Sequence, residues 1–253
     1  MHITETAIPG LLVLDLDVHG DNRGWFKENW QREKIRALAA EHPRLASLAP
    51  VQNNISFNDA VGTTRGIHAE PWDKYVSVAT GEIFGAWVDL RAGESFGRVF
   101  TTRLDPARAV FVPRGVGNAF QTLEAPASYT YLVNDHWRPD LTYPALALDD
   151  PTAAIEWPIP LSQSEISDKD RANPRLAEVA PFVPRPALVL GGSGQIGSAL
   201  RRLLPDAVAP GRDELDLTDP AAVEALDLSG HDLVINAAAM TAVDAAETAD
   251  GSR

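Results

Sequence analysis

Tyr75-Val-Ser-Val-Ala79 and Ile83-Phe-Gly-Ala-Trp-Val-Asp-Leu90 are two runs of β-branched, aromatic and small residues separated only by Thr80-Gly81-Glu82. Both read as strands bounded by a turn. Working outward, Leu11–Leu16 is mostly apolar and gives way to a turn at Gly20-Asp-Asn-Arg-Gly24, while Ala109–Val112 and Ser128–Val133 are further short strands. Gly, Pro, Asp or Asn bounds each of them. Several strands at a spacing of roughly ten residues predict a sandwich or jelly-roll barrel. One substantial helix is expected over Gln31–Leu48, with Ile35, Leu38 and Leu45 on its apolar side. The first part of the chain is therefore mainly β.

The texture changes between Ala172 and Pro186, where Pro174, Pro181, Pro184 and Pro186 break helix and sheet alike. Beyond it the order becomes strand, turn, helix. Leu188-Val-Leu-Gly-Gly-Ser-Gly-Gln-Ile-Gly197 runs from an apolar strand into a glycine-rich turn, and Ile196–Leu204 has helical spacing with Arg201 and Arg202 outward. Asp219 caps a second helix with Pro220 in its first turn, and Asp232–Asn236 reads as a further buried strand. This is α/β grammar. The expected division is a β domain over 1–180, a proline-rich linker over 181–186 and an incomplete α/β unit over 187–253.

With 253 residues, 45% hydrophobic content and a net charge of −13, the chain belongs among globular proteins and lacks the basic surface of a nucleic-acid binder. It has no cysteine, which excludes disulfides and thiolate chemistry. Neither a membrane span nor a signal peptide is expected, so a cytoplasmic protein is the default.

Chemistry converges on four segments. Arg65-Gly66-Ile67-His68, read as a tight turn leading into a histidine, supplies a base. Lys74 starts the next strand, Tyr129-Thr-Tyr131 offers two phenols on one strand face, and Ser167-Asp-Lys-Asp170 ends in a carboxylate. Taken singly, His68 is a structural histidine, Tyr131 a core aromatic and Asp170 a surface charge. Together they make a base, its orienting carboxylate, an enolate stabiliser and an acid.

Ordered motifs carry a resemblance across residues 1–180. Asp21, Arg23, Gly24, Phe26 and Glu28, then Gln52, Asn54 and Ser56, then Arg65 to His68 and Gly81 to Arg91, resemble the dTDP-4-dehydrorhamnose 3,5-epimerase family, a cupin-type jelly roll. Asp150, Pro151, Trp157 and Pro158, with Ser167, Lys169 and Asp170, extend the match. The resemblance implies epimerisation at C3 and C5 of a dTDP-4-keto-6-deoxy sugar, by a homodimer, without a cofactor. It implies His68 as base, Asp170 as its partner, Lys74 at the enolate oxygen and Tyr131 as acid. Tyr131 is preferred to Tyr129 for its spacing to Trp137-Arg-Pro139. Arg23, Glu28, Gln52, Asn54, Arg65 and Asn118 are the implied substrate contacts, with the two arginines suited to a diphosphate. Two departures are Ala69-Glu70 after the histidine and Asn118 in place of a later one. They leave open an enzyme acting at one carbon only, or a non-catalytic sugar-nucleotide binder. With His68 the only histidine in the site's context, no metal centre is expected.

The C-terminal stretch resembles a second family. Gly191, Gly194, Gln195, Ile196 and Gly197, with Asp216-Leu217 and Ala237-Ala238 before Thr241, are similar to the opening of dTDP-4-dehydrorhamnose reductase, an extended short-chain dehydrogenase. That resemblance implies a partial Rossmann unit and, for a complete reductase, NADPH or NADH. The reductase family uses a Tyr-x-x-x-Lys pair, and no tyrosine or lysine occurs beyond residue 187. The expectation is a truncated epimerase–reductase fusion without reductase activity.

Overall fold

In the N-terminal unit the chain forms β1 (His2–Glu5), β2 (Leu12–Asp15), the hairpin β3 (Val18–Asp21) and β4 (Gly24–Lys27), then α1 (Arg32–Leu38) and α2 (Pro43–Ala46). It continues through β5 (Gln52–Asn58), β6 (Thr64–His68), β7 (Lys74–Asp89), β8 (Val99–Leu104), β9 (Arg108–Val112), β10 (Val116–Val133) and α3 (Asp168–Arg171). The computed structural model describes residues 1–138, 143–231 and 233–239. It divides into two compact units, Met1–Pro184 and Arg185–Arg253. The first is mainly β.

Eight antiparallel strands form its sheet in the order β1-β2-β9-β7-β10-β5, with β6 on β10 and β8 on β7. The sequence predicts separate strands over Tyr75–Ala79 and Ile83–Leu90; instead β7 runs through both and changes partner at Thr80-Gly81-Glu82. Its first half pairs with β9 and its second with β8. Likewise Ser128–Val133 is only the end of β10, whose register shifts between Thr122 and Tyr129. The first half of β10 pairs with β6 and the second with β5. These partner changes make two leaves. Side chains of both meet in one core, where Val76, Val78 and Val110 pack with Ile83, Trp87 and Leu104. Burying an aromatic such as Trp87 removes roughly 150–250 Å² from water, worth about 4–6 kcal/mol before entropic costs.

The single helix expected over Gln31–Leu48 is two short ones. Pro43 has no N–H to donate and restricts His42 before it, so α1 ends and α2 starts afresh with the proline in its first turn. Ile35 and Leu45 are buried, but Leu38 is 39% exposed. The Arg65-Gly66 pair is not a turn: it lies inside strand β6. The proline-rich segment is also less of a linker than its composition suggests. Leu176 is buried, and Phe182 donates its amide to the Leu90 carbonyl at 2.7 Å and accepts from Ala92 at 2.9 Å.

Asp73 anchors the turn that leads into β7. At 3% exposure its carboxylate meets Arg44 Nη1 at 2.8 Å and Arg114 Nη2 at 3.2 Å, and also accepts from the Arg114 amide and Asn134. Burial pushes this carboxyl up, but the two guanidiniums outweigh it and hold it below 3.8. A depressed carboxylate stabilises the fold above its ordinary pKa, and that contribution is lost as pH falls from 3.8 through the lower folded value. Asp73→Asn is expected to cost about 3 kcal/mol, the low end for breaking a buried ion pair, because the arginines keep some water. Urea denaturation at neutral pH and again at stepwise lower pH checks this: the gap between wild type and variant closes only as pH falls through the depressed folded value.

The second unit contains β11 (Leu188–Leu190), α4 (Gln195–Leu203), α5 (Pro220–Glu224) and β12 (Val234–Asn236). β11 and β12 pair in parallel, and Leu188 also bridges Val208 in parallel. Asp219 caps α5 by accepting from the Ala221 amide at 3.0 Å. β12 is not the buried strand its composition predicts, since Leu233 and Val234 are exposed. Among the described residues β11 is the one strand that pairs with it. Asp232, its expected start, lies outside the described residues.

Candidate functional site

The register of β10 assembles the cleft. Tyr129, Tyr131 and Val133 alternate onto one face, and β7 sets Lys74 opposite Val133, one diagonal step from Tyr131. On the far edge β5 sets Gln52, Asn54 and Ser56 opposite Val133, Tyr131 and Tyr129. At the other end β6 brings His68 opposite Asn118. The resulting cleft of about 300 Å³ is lined by Arg65, His68, Glu70, Lys74, Asn118, Tyr129, Tyr131 and Asp170, among others. A larger hollow of about 590 Å³ lies beside α1 and the β3–β4 hairpin. Its Glu28 and Lys34 are paired with each other at 2.7 Å, so the convergent chemistry is in the smaller cleft.

A dyad forms the floor. His68 Nε2 lies 2.8 Å from Asp170 Oδ1, although the two residues are 102 apart in sequence. Asp170 is 7% exposed, on the short helix α3 whose cap Ser167 accepts its amide. Its second oxygen accepts the Gly66 amide at 3.2 Å. Burial pushes the carboxyl up, yet His68, the Gly66 amide and Ser167 together hold it below the usual carboxylate range. An acceptor-only group at Nε2 fixes the proton there and leaves Nδ1 as the basic nitrogen. Gly66 is essential to the approach: at φ +118° an added Cβ would sit 2.6 Å from that of Ala119.

Lys74, 3% exposed, is held by Glu70 and by Asn118 Oδ1, and its Nζ stands 5.8 Å from the Tyr131 ring centroid. Asn118 in turn donates from Nδ2 to the Tyr129 hydroxyl at 3.2 Å. Tyr129 is 3% exposed and stacked on Phe120 with centroids 4.3 Å apart. The Tyr131 hydroxyl has no protein hydrogen-bond partner among the described residues. Burial, with the Glu70 charge adding to it, raises the Tyr131 phenol, and Arg65 opposes this. At neutral pH it is an un-ionised acid.

In the second unit the glycine turn joins β11 to α4. Gly191 has φ +75°, and a Cβ on it would lie 2.6 Å from the Ala238 nitrogen; one on Gly197 would lie 2.2 Å from the Gly191 carbonyl. Gly194 caps α4, whose first turn holds Gln195, Ile196 and Gly197, while Ala237 donates its amide to the Leu190 carbonyl and Ala238 lies against Gly191. Asp216 accepts from Thr218 and lies 3.6 Å from Arg212, with Leu217 half-buried beside it. Thr241 lies outside the described residues.

The family model for dTDP-4-dehydrorhamnose 3,5-epimerase matches residues 5–178, more than half of the chain. The chain belongs to the dTDP-4-dehydrorhamnose 3,5-epimerase family. A second model, the RmlD substrate binding domain, matches residues 185–253. A Streptococcus pyogenes RmlC homolog is 49% identical over 181 residues, covering 70% of this chain and 90% of that protein. The Pseudomonas aeruginosa dTDP-4-dehydrorhamnose 3,5-epimerase is 32% identical, covering 72% and 99%. Among solved structures, RmlC from Streptococcus suis in complex with dTDP-D-xylose superposes with a TM-score of 0.65 at 45% identity, covering 72% of this chain and 94% of that one. The first unit is thus an isomerase of a family that works without a cofactor.

Of the residues expected in the epimerase site, the structure gathers His68, Asp170, Lys74, Tyr131, Arg65 and Asn118 in one cleft. Gln52 and Asn54 lie on the adjoining strand, hydrogen-bonded to each other at 2.9 Å. Arg23 and Glu28 are not brought there. Arg23 is 84% exposed on the hairpin and clasps Asp21, while Glu28 lines the separate hollow. Trp137 donates its amide to Gln52; Pro139, used above to set the tyrosine register, lies outside the described residues. Glu70 and Tyr129 belong to the cleft although neither was expected to act there. Among the described residues no cluster of three potential metal ligands occurs, and no helix is long and apolar enough to cross a membrane.

Proposed function

We propose that the first unit epimerises C3 and C5 of dTDP-4-dehydro-6-deoxy-D-glucose, giving dTDP-4-dehydro-L-rhamnose in the cytoplasm. The observation that carries this reading is the His68–Asp170 pair sharing one cleft with Lys74 and Tyr131. The C4 carbonyl acidifies the hydrogens on both neighbouring carbons. His68 Nδ1 takes one of them, and the electron pair moves into an enolate whose oxygen faces the Lys74 ammonium. Tyr131 returns a proton from the opposite face, inverting the carbon, and solvent restores both groups before the second carbon reacts. Arg65 is placed for the diphosphate. A homodimer would give Arg23 and Glu28 a role, because Trp25 and Phe26 beside them are exposed apolar surface.

A second reading, inversion at one carbon only, is favoured by Glu70 and Asn118, which crowd the ammonium that an enolate oxygen must reach. Solvent-deuterium incorporation, read by position in the recovered sugar, decides. Label at C3 and C5 supports the double epimerase and label at one carbon the restricted enzyme. No label leaves a binder. For the second unit we propose the opening of a nicotinamide-dinucleotide site, with the pyrophosphate at the Gly191–Gly197 turn. Calorimetric titration with NADPH and NADH tests it, and no heat with either would end that reading.

A further inference from the structure

Lys74 is an ammonium almost wholly withdrawn from water, and a charge at that depth is costly unless a counter-charge pairs with it. Two carboxylates line the cleft. Asp170 is occupied at both oxygens, by His68 and by the Gly66 amide. Glu70 is the one in contact with Lys74, across the turn Pro71-Trp72-Asp73. That turn is rigidly held: Trp72 is buried, Asp73 is clamped by two arginines, and the Gly115 amide donates to the Glu70 carbonyl at 2.9 Å. From Lys74 the contacts continue through Asn118 to Tyr129, whose ring is fixed by Phe120.

We infer that Glu70 is a positioning residue for the proton-transfer site, holding the Lys74 ammonium in place and, with Asn118, aimed at the face of Tyr131. The inference rests on the epimerase reading given above. The charged and titratable groups around Lys74 and Tyr131 are Arg65 and His68 from β6, Glu70 from the following turn, Tyr129 from β10 and Asp170 from α3; β5 contributes only uncharged side chains. Removing the Glu70 charge has a definite sign at the phenol, because a phenol without a neighbouring anion ionises more easily. Burial first, then Glu70, holds the Tyr131 phenol up.

Glu70→Gln keeps the shape and an acceptor oxygen while deleting the charge. The expected result is a fall in kcat of about tenfold, below the 10²–10⁴ of a proton-transferring group, with KM little changed. The alkaline limb of the kcat profile should move about one pH unit toward acid. Glu70→Asp, which retains the charge, should leave the limb in place. A tyrosinate absorbance titration, with Tyr131→Phe in each background to isolate that phenol, reads the same coupling without turnover. The Tyr131 step moving toward acid in Glu70→Gln supports the inference. Unmoved limb and unmoved titration overturn it, and so does a slower enzyme whose titration is unchanged, because that is a packing role. A wild-type protein that exchanges no label sinks the epimerase reading, while the titration still decides Glu70.

Discussion

His68→Ala is expected to abolish solvent exchange at both C3 and C5, because one imidazole serves both abstractions. General-base contributions of about 10²–10⁴-fold set the scale of the loss. Asp170→Asn should come close to it, for a reason visible in the hydrogen bonds. Both Asp170 oxygens accept, one from Gly66 N–H and one from the imidazole. An amide has a single oxygen, so its NH₂ must face either the Gly66 amide or His68. If Gly66 keeps the oxygen, the NH₂ donates to Nε2 and places the imidazole proton on Nδ1, the nitrogen that should be the base. The expected cost is on the order of 10²–10³-fold in exchange rate, with sugar-nucleotide binding retained. Positional deuterium labelling with both variants checks this, and near-normal exchange by His68→Ala overturns the assignment of the base.

Tyr131→Phe should separate exchange from inversion. Abstraction and return on one face need only His68, so label still enters, while epimerised product falls by about 10²-fold or more. Among the described residues the Tyr131 hydroxyl has no hydrogen-bond partner, and burial keeps it un-ionised at neutral pH, as an acid must be. Tyr129→Phe should matter far less, since that ring is locked against Phe120 with its hydroxyl on Asn118. Product formation and label uptake, followed together by NMR in deuterated buffer, distinguish the two. A larger loss of inversion in Tyr129→Phe reverses the assignment of the acid.

Local features of the fold were legible where local physics decides them. Runs of β-branched, aromatic and apolar residues bounded by Gly, Pro, Asp or Asn marked the strands, Asp219-Pro220 marked a helix start, and Gly191 to Gly197 marked the strand–turn–helix. The helix over Gln31–Leu48 was overextended because apolar spacing alone outweighed Pro43. The long strands β7 and β10 were read as fragments, since a strand that changes partners midway looks, residue by residue, like two strands with a turn.

By itself the sequence determined the inventory of the site: a histidine, a lysine, two tyrosines and an aspartate in ordered motifs, with no cysteine to offer other chemistry. Tertiary structure alone decided which of these meet. His68 and Asp170 come together across 102 residues. Lys74 takes Glu70 as its partner, and among the described residues Tyr131 rather than Tyr129 keeps a hydroxyl without a hydrogen-bond partner. Arg23 and Glu28, as strongly marked by motif as any, stay outside the cleft. The reason is that these contacts depend on the register of β10 against β5, β6 and β7. That register shifts between Asn118 and Phe120 against β6 and between Thr122 and Tyr129 against β7, and one residue's slip turns every side chain to the other face.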